Sequence, residues 1–364
     1  MVQIIKPERP AGFLDYGPGE YRAREEMILA ISRIFSSFGF DPIETPMAEF
    51  YKVLLGEDET SKNIFSLHTQ GNSENNLALR FDHTVPFARF ISANPYNSKK
   101  RTGIKLPWRR SVYGPVFRGE TPQKGRFRQF YQYDVDIAGS SLMLSDAEVI
   151  AVIFHTLSLW KSDFLININN RKILDGVMEY LGICDRGSCL AVDISRDIIH
   201  ILDKSTKISD AKFRDALMSE PDNEFDPRPN LDDKQFSKLE AFISLQGSNE
   251  EIIDLALALL SDSKLAQEGL RELSDIISYL PSFGVDVNKV VIDFSIARGL
   301  DYYTGPVFES HLLDAPEFGS VFSGGRYNNL VSRFTGQELP AVGASIGVDR
   351  LYSALTSLGL LEVK

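Results

Sequence analysis

The stretch Phe117-Arg118-Gly119-Glu120-Thr121-Pro122-Gln123-Lys124-Gly125-Arg126-Phe127-Arg128-Gln129-Phe130 joins two segments of strand character. Residues 111–118 lead into it. Residues 128–137 leave it, alternating aromatic and polar side chains as a half-buried antiparallel strand does. Two long strands joined by a loop predict a large hairpin. An arginine at the end of a strand can hold a phosphate through two parallel hydrogen bonds, and Gly125 allows the loop to close over a nucleotide.

Working outward, residues 18–35 carry Tyr21, Met27, Ile28, Ile31, Ile34 and Phe35 at helical spacing, which predicts an amphipathic helix. Pro42-Ile43-Glu44-Thr45-Pro46 reads as extended chain, because each proline fixes its own φ and biases its predecessor away from helix. Further strands are expected at 77–81, 164–168, 289–294, 307–313 and 341–346, and helices at 144–160, 172–181 and 347–358. Short amphipathic helices fill residues 193–279, read as an inserted helical domain. The layout is α+β: an antiparallel sheet flanked by helices, with residues 1–183 and 287–364 forming one domain and 184–286 the insertion.

The 39 basic against 50 acidic residues leave a net charge of −11, which argues against a polyanionic partner for the surface as a whole. Residues 99–128 reverse this, with ten Lys or Arg and the one acid Glu120. That run is either a solvated loop or an anion site. Two cysteines, Cys184 and Cys189, are too few for a disulfide framework or a four-thiolate zinc site, and read as ordinary thiols. His155 and His200 read as packed histidines, and Trp108 as an aromatic anchor for the basic segment. No run is apolar enough to span a bilayer, and the start lacks the apolar core of a secretion signal, so a cytoplasmic location is expected.

The hairpin, extended as GETPQKGRFRQFYQYDVDIAG (119–139), resembles motif 2 of the histidyl-tRNA synthetases, class II aminoacyl-tRNA synthetases. Ala297-Arg298-Gly299-Leu300-Asp301-Tyr302-Tyr303-Thr304-Gly305 is similar to the histidine-specific block of that family, and Ser323-Gly324-Gly325-Arg326-Tyr327 to its following glycine-rich turn. Residues 341–350, AVGASIGVDR, resemble motif 3; residues 12–15 and 38–46 resemble the family's opening and motif 1.

The resemblance implies a ligase that activates histidine with ATP and Mg2+ and transfers it to tRNA(His), as a homodimer. It implies that Arg118 holds the α-phosphate and the amino-acid carboxylate, Arg350 the γ-phosphate, Glu120 the adenine amino group, and Arg126 a further phosphate. Arg298 is then a fixed cation at the α-phosphate. Asp82, in Leu79-Arg80-Phe81-Asp82-His83-Thr84, falls where the family binds the α-amino group. Thr84, Gln132 and Asp136 fall at other substrate positions, and Tyr302, Tyr303 and Tyr327 among the histidine contacts. Asp82 and Asp136 stand where many bacterial members have glutamate, as in the eukaryotic-type branch. No protein metal site is implied.

Fourteen residues follow Arg350, so the sequence predicts that the family's anticodon-binding domain is absent. That leaves two readings: a synthetase catalytic core, or a synthetase-like regulatory subunit of ATP phosphoribosyltransferase that binds histidine without aminoacylation. A regulator has no need of the nucleotide arginines. Arg118, Arg298 and Arg350 all being present favours the enzyme.

Overall fold

The computed structural model describes residues 5–55, 63–69, 72–122, 125–183, 189–202, 209–220, 229–296 and 303–363. Its strands are β1 (Asp41–Pro42), β2 (Ala48–Phe50), β3 (Ser66–Thr69), β4 (Asn72–Leu79), β5 (Trp108–Phe117), β6 (Gln129–Ala138), β7 (Phe164–Asn170), β8 (Val290–Ile292), β9 (Pro306–Leu312), β10 (Ser320–Tyr327) and β11 (Ala341–Gly347). Its helices are α1 (Pro18–Ser37), α2 (Tyr51–Leu55), α3 (Thr84–Ala93), α4 (Met143–Leu157), α5 (Arg171–Leu181), α6 (Cys189–Leu202), α7 (Asp210–Met218), α8 (Asp233–Ile243), α9 (Asn249–Leu259), α10 (Lys264–Tyr279), α11 (Ser332–Thr335) and α12 (Val348–Ser357).

The predicted hairpin is the spine of the molecule. β5 and β6 pair antiparallel from Phe117 opposite Gln129 to Trp108 opposite Ala138. The main sheet, eight-stranded among the described residues, runs β1-β5-β6-β11-β10-β9-β7-β8. Its interior pairings are antiparallel, while β1 on β5 and β8 on β7 are parallel at the two edges. Period-two alternation assigns the faces. Tyr133, Val135 and Ile137 of β6 and Val342, Ala344 and Ile346 of β11 enter the hydrophobic core with α1, α4 and α12, whereas Gln132, Asp134 and Asp136 line a cavity on the other face.

A three-stranded sheet, β2-β4-β3, closes that second face. It packs with α2 and α3 around Leu54, Ala78, Phe87, Tyr327 and Leu330. Local signals set the helix ends. Pro18 opens α1, where its missing N–H costs nothing, and the Gly17 amide donates to the Glu20 carboxylate at 2.8 Å. Reciprocal caps pair Asp232 with Gln235 ahead of α8 and Ser248 with Glu251 ahead of α9. α10 packs back on α5, α4 and β7, and its Leu270, Leu273 and Ile276 join the main core.

One expectation is corrected. Ser323-Gly324-Gly325-Arg326-Tyr327 is not a turn but the body of β10, paired with β9 and β11. The glycines serve crowding rather than chain reversal: a Cβ on Gly324 would lie 2.2 Å from the Gly343 carbonyl oxygen, and one on Gly325 2.9 Å from the Tyr303 ring.

Candidate active site

Two cavities share a wall on the face of the sheet opposite the main core. The first, of about 320 Å³, is lined by Asp82, Thr84, Arg118, Gln132, Asp134, Asp136, Tyr303 and Tyr327 among others. The second, of about 190 Å³, is lined by Arg118, Glu120, Arg126, Phe130 and Arg350 among others. Arg118, Glu120, Gln132, Ser323 and Ser345 border both.

In the first cavity β6 presents Gln132, Asp134 and Asp136 at every second residue. Asp136 Oδ1 accepts from the Tyr327 hydroxyl, and its Oδ2 lies 2.6 Å from Nη2 of Arg110, which is fully buried. Its place opposite Gly343 is obligatory, because a Cβ there would meet Oδ1 at 2.0 Å. Burial pushes the Asp136 carboxyl up to about 6, against the pull of Arg110 and the Tyr327 hydrogen bond. Asp134 is pushed up to about 7 by burial, again opposed by Arg110. Asp82 is raised by burial and accepts from the Val85 amide at 3.2 Å, at the start of α3.

Behind this row His83 is buried, with Nε2 3.2 Å from the Gly114 carbonyl. Burial, with Arg80 and Arg110 adding repulsion, pushes its imidazole down to about 3, so it stays neutral and donates through Nε2. Arg80 is held by the carbonyls of Thr45 at 2.7 Å and Pro115 at 2.8 Å. Its guanidinium occupies the space a Gly114 Cβ would need.

The second cavity is cationic. Arg118 Nε donates to the Phe81 carbonyl at 3.1 Å, and its guanidinium lies 5.2 Å from the Phe130 ring centre. Arg126 and Glu120 form an ion pair. Arg350, in the first turn of α12, donates through Nη1 to the Ser320 carbonyl at 2.6 Å. Its neighbour Asp349 is buried, accepting from Tyr16 Oη at 2.8 Å and the Tyr131 amide at 2.6 Å, and lying 3.0 Å from Arg24 Nε.

The structure thus brings together Asp82, Thr84, Arg118, Glu120, Arg126, Gln132, Asp136, Tyr303, Tyr327 and Arg350. Arg298 and Tyr302 lie outside the described residues, as does Cys184. The basic run does not form one surface. Arg109 is paired with Glu148 and Arg110 with Asp136, Arg118 and Arg126 turn into the site, and Lys99, Lys100, Arg101 and Lys105 are exposed on a separate loop. Trp108 packs against Phe87 and Phe90 as an anchor, and His155 bonds the Phe283 carbonyl through Nε2 at 2.8 Å. Sequence reading passed over Asp134 and Arg110. Asp134 carried a signal, two residues from each of Gln132 and Asp136 on the same strand.

A family model described as histidyl-tRNA synthetase matches residues 12–351. The chain belongs to the histidyl-tRNA synthetase family. By family it is an aminoacyl-tRNA synthetase. The histidine–tRNA ligase of Wolinella succinogenes is 40% identical over 364 residues, covering 99% of this chain and 77% of the relative. The crystal structure of a histidyl-tRNA synthetase from Nostoc sp. superposes with a TM-score of 0.82 at 33% identity, over 99% of this chain and 77% of that one. A structure from Bacillus halodurans, described as an ATP phosphoribosyltransferase regulatory subunit/histidyl-tRNA synthetase, gives a TM-score of 0.77 at 25% identity, over 97% and 84%.

Proposed function

We propose that this chain joins histidine to ATP as histidyl-adenylate, releasing pyrophosphate, and passes the histidyl group to tRNA(His). The observation that carries this reading is the meeting of a carboxylate-lined and an arginine-lined cavity at Arg118. In-line attack of a carboxylate on the α-phosphate requires two anions to be held together and the charge growing on phosphorus to be offset. Arg118 borders both cavities and can neutralise both anions. Arg350 and Arg126 supply cationic charge toward the outer phosphates, Glu120 an acceptor for the adenine amino group, and Arg298 a cation at the α-phosphate. Asp82 receives the substrate ammonium, with Thr84, Gln132, Asp136, Tyr302, Tyr303 and Tyr327 completing the histidine contacts.

Among the described residues no three His, Cys, Asp or Glu side chains cluster as metal ligands. Mg2+ enters this proposal as part of the nucleotide substrate, MgATP, bound through its β and γ phosphates. The exposed Tyr21, Leu29, Met47 and Phe50, on and near the motif 1 elements, support a homodimer. No described helix is long and apolar enough to cross a membrane; a cytoplasmic location, like the division at 184–286, belongs to the proposal.

Histidine-dependent exchange of pyrophosphate into ATP tests the reading. Exchange is expected, and Arg298→Ala is expected to lower its kcat about a hundredfold with little change in histidine affinity, as befits a charge that acts in the transition state. Histidine binding without exchange would replace the ligase by the histidine-binding regulator.

A further inference from the structure

β11 runs between β6 and β10 and is spanned on both of its faces. Gly343 pairs with Asp136 on one side and Gly325 on the other, and Ala341 with Ala138 and Tyr327. On the cavity face the Tyr327 hydroxyl crosses β11 to bond the Asp136 carboxylate. The residue before it, Arg326, points to the core face and reaches the chain that follows β6. Its Nε donates to Asp146 Oδ1 at 3.1 Å and Oδ2 at 3.2 Å, and its Nη2 to Asp146 Oδ2 as well. Nη1 donates to the Ser140 carbonyl at 2.9 Å and Nη2 to that of Leu142 at 3.3 Å. Asp146 lies in the first turn of α4, and Ser140 and Leu142 in the link from β6 to α4.

The same residue carries the chain that enters β9. Its carbonyl accepts from the Thr304 amide at 2.9 Å, and its stem lies against Gly305, where a Cβ would meet Arg326 Cδ at 3.2 Å. The Tyr303 ring lies in turn against Gly325. Arg326 is 3% exposed, Asp146 is fully buried, and neither borders the two cavities. A buried ion pair adds little net stability over an apolar pair of similar volume, because desolvation offsets the attraction. What it adds here is geometry. A planar guanidinium with five donors in a fixed fork sets its acceptors in direction as well as distance, which a lysine or an apolar side chain does not.

Resting on the reading above, we infer that Arg326, paired with Asp146, is a positioning residue for the amino acid: from the core face it fixes the end of β6 against β10 and β9, and so the spacing at which Tyr303, Tyr327 and Asp136 stand in the first cavity. It touches no substrate and acts through those three. The nucleotide side of the site rests on other supports. Arg118 follows the opposite end of β5, where Phe117 pairs with Gln129, and Arg350 is held by the carbonyl of Ser320 at the opposite end of β10. Loosening Arg326 therefore falls on the amino acid and spares ATP.

The test is pyrophosphate exchange by the full chain at varied histidine and varied ATP, with thermal unfolding of each variant alongside. Arg326→Lys keeps the charge and loses the fork; it should raise KM for histidine about tenfold, the scale of one well-placed hydrogen bond, and leave KM for ATP within about twofold. Asp146→Asn, which keeps the Ser140 and Leu142 contacts, should raise KM for histidine less. Arg326→Met combined with Asp146→Leu removes both charges, and should recover the Tm that Arg326→Met alone loses while keeping the raised KM for histidine. A KM for histidine that returns to the native value along with Tm makes Arg326 merely structural and overturns the inference. So does an Arg326→Lys chain that folds with native KM for histidine, or with both KM values raised equally. A native chain that binds histidine without exchange overturns the proposed function alone, and the same variants are then compared by calorimetric histidine affinity; a native chain that binds no histidine overturns both.

Discussion

Replacing Asp349 by asparagine isolates the contact that ties the first helix to the nucleotide cavity. The Arg24 guanidinium, only 4% exposed, sits 4.2 Å from the Tyr131 ring centre and 4.8 Å from that of Tyr16, with its Nε 3.0 Å from Asp349. Asp349→Asn leaves an acceptor for the Tyr131 amide but strands a buried cation, which costs about 3 kcal/mol. With an unfolding entropy of about 2.1 cal/mol/K per residue, 364 residues correspond to roughly 0.8 kcal/mol/K, so Tm should drop by about 4 °C. Arg24→Met leaves Asp349 with two donors and should cost about 2 kcal/mol. The double variant removes both charges and should recover 1–3 kcal/mol of the summed loss. Because Arg350 follows Asp349 in the first turn of α12, the single Asn variant should raise KM for ATP more than KM for histidine. Thermal and urea unfolding of the three variants, with initial rates, make the assay. Additivity within about 0.5 kcal/mol would refute the reasoning, since it would mean the two charges do not stabilise one another.

Gly343→Ala should raise KM for histidine more than tenfold, because the new Cβ would expel Asp136 from its place beside Arg110; Gly347→Ala, whose Cβ would meet nothing closer than 3.5 Å, is the control, and equal KM values would contradict the steric argument. The folded-state carboxyls of Asp134, Asp136 and Asp146 are pushed up to about 7, 6 and 6 from an ordinary 3.8, so the folded chain holds protons that the unfolded chain has released. Their stabilising contribution is complete below about pH 4 and is lost as pH rises through 6 to 7. Ligand-free Asp134→Asn should accordingly gain Tm relative to the native chain between pH 5 and 8, and a pH-independent difference would count against it. Removing the exposed charges of Lys99, Lys100, Arg101 and Lys105 together should leave pyrophosphate exchange unchanged, raise KM for tRNA and flatten its salt dependence by up to about 3 log units per log unit of salt; an unchanged slope would mean that this loop touches no phosphate.

Alternation along β6 and the spacing of α1 made the hairpin and its helical cover legible, because each is a local pattern that the tertiary fold merely completes. β10 was not, since Gly324 and Gly325 read as breakers until β9 and β11 crowd against them. α3 escaped notice because Pro86 falls within its first turn, where it is tolerated. The basic run misled for a related reason. Charge is additive along a sequence, but Glu148 on α4 and Asp136 on β6 cancel Arg109 and Arg110 from far along the chain. The place of Arg118 at the end of a strand was legible in the sequence, whereas the burial of Arg110 beside Asp134 and Asp136 becomes visible only once β5 and β6 are paired.

The alternation on β6 also limits how such a pocket can change over generations. Gln132, Asp134 and Asp136 share a strand with Tyr133, Val135 and Ile137, so losing or gaining one residue within it would turn the acids into the core and the apolar side chains toward the substrate. Insertions and deletions are barred there. New amino-acid preferences are therefore reachable from this chain only by single exchanges at alternate positions, each tested against an unaltered scaffold on the opposite face.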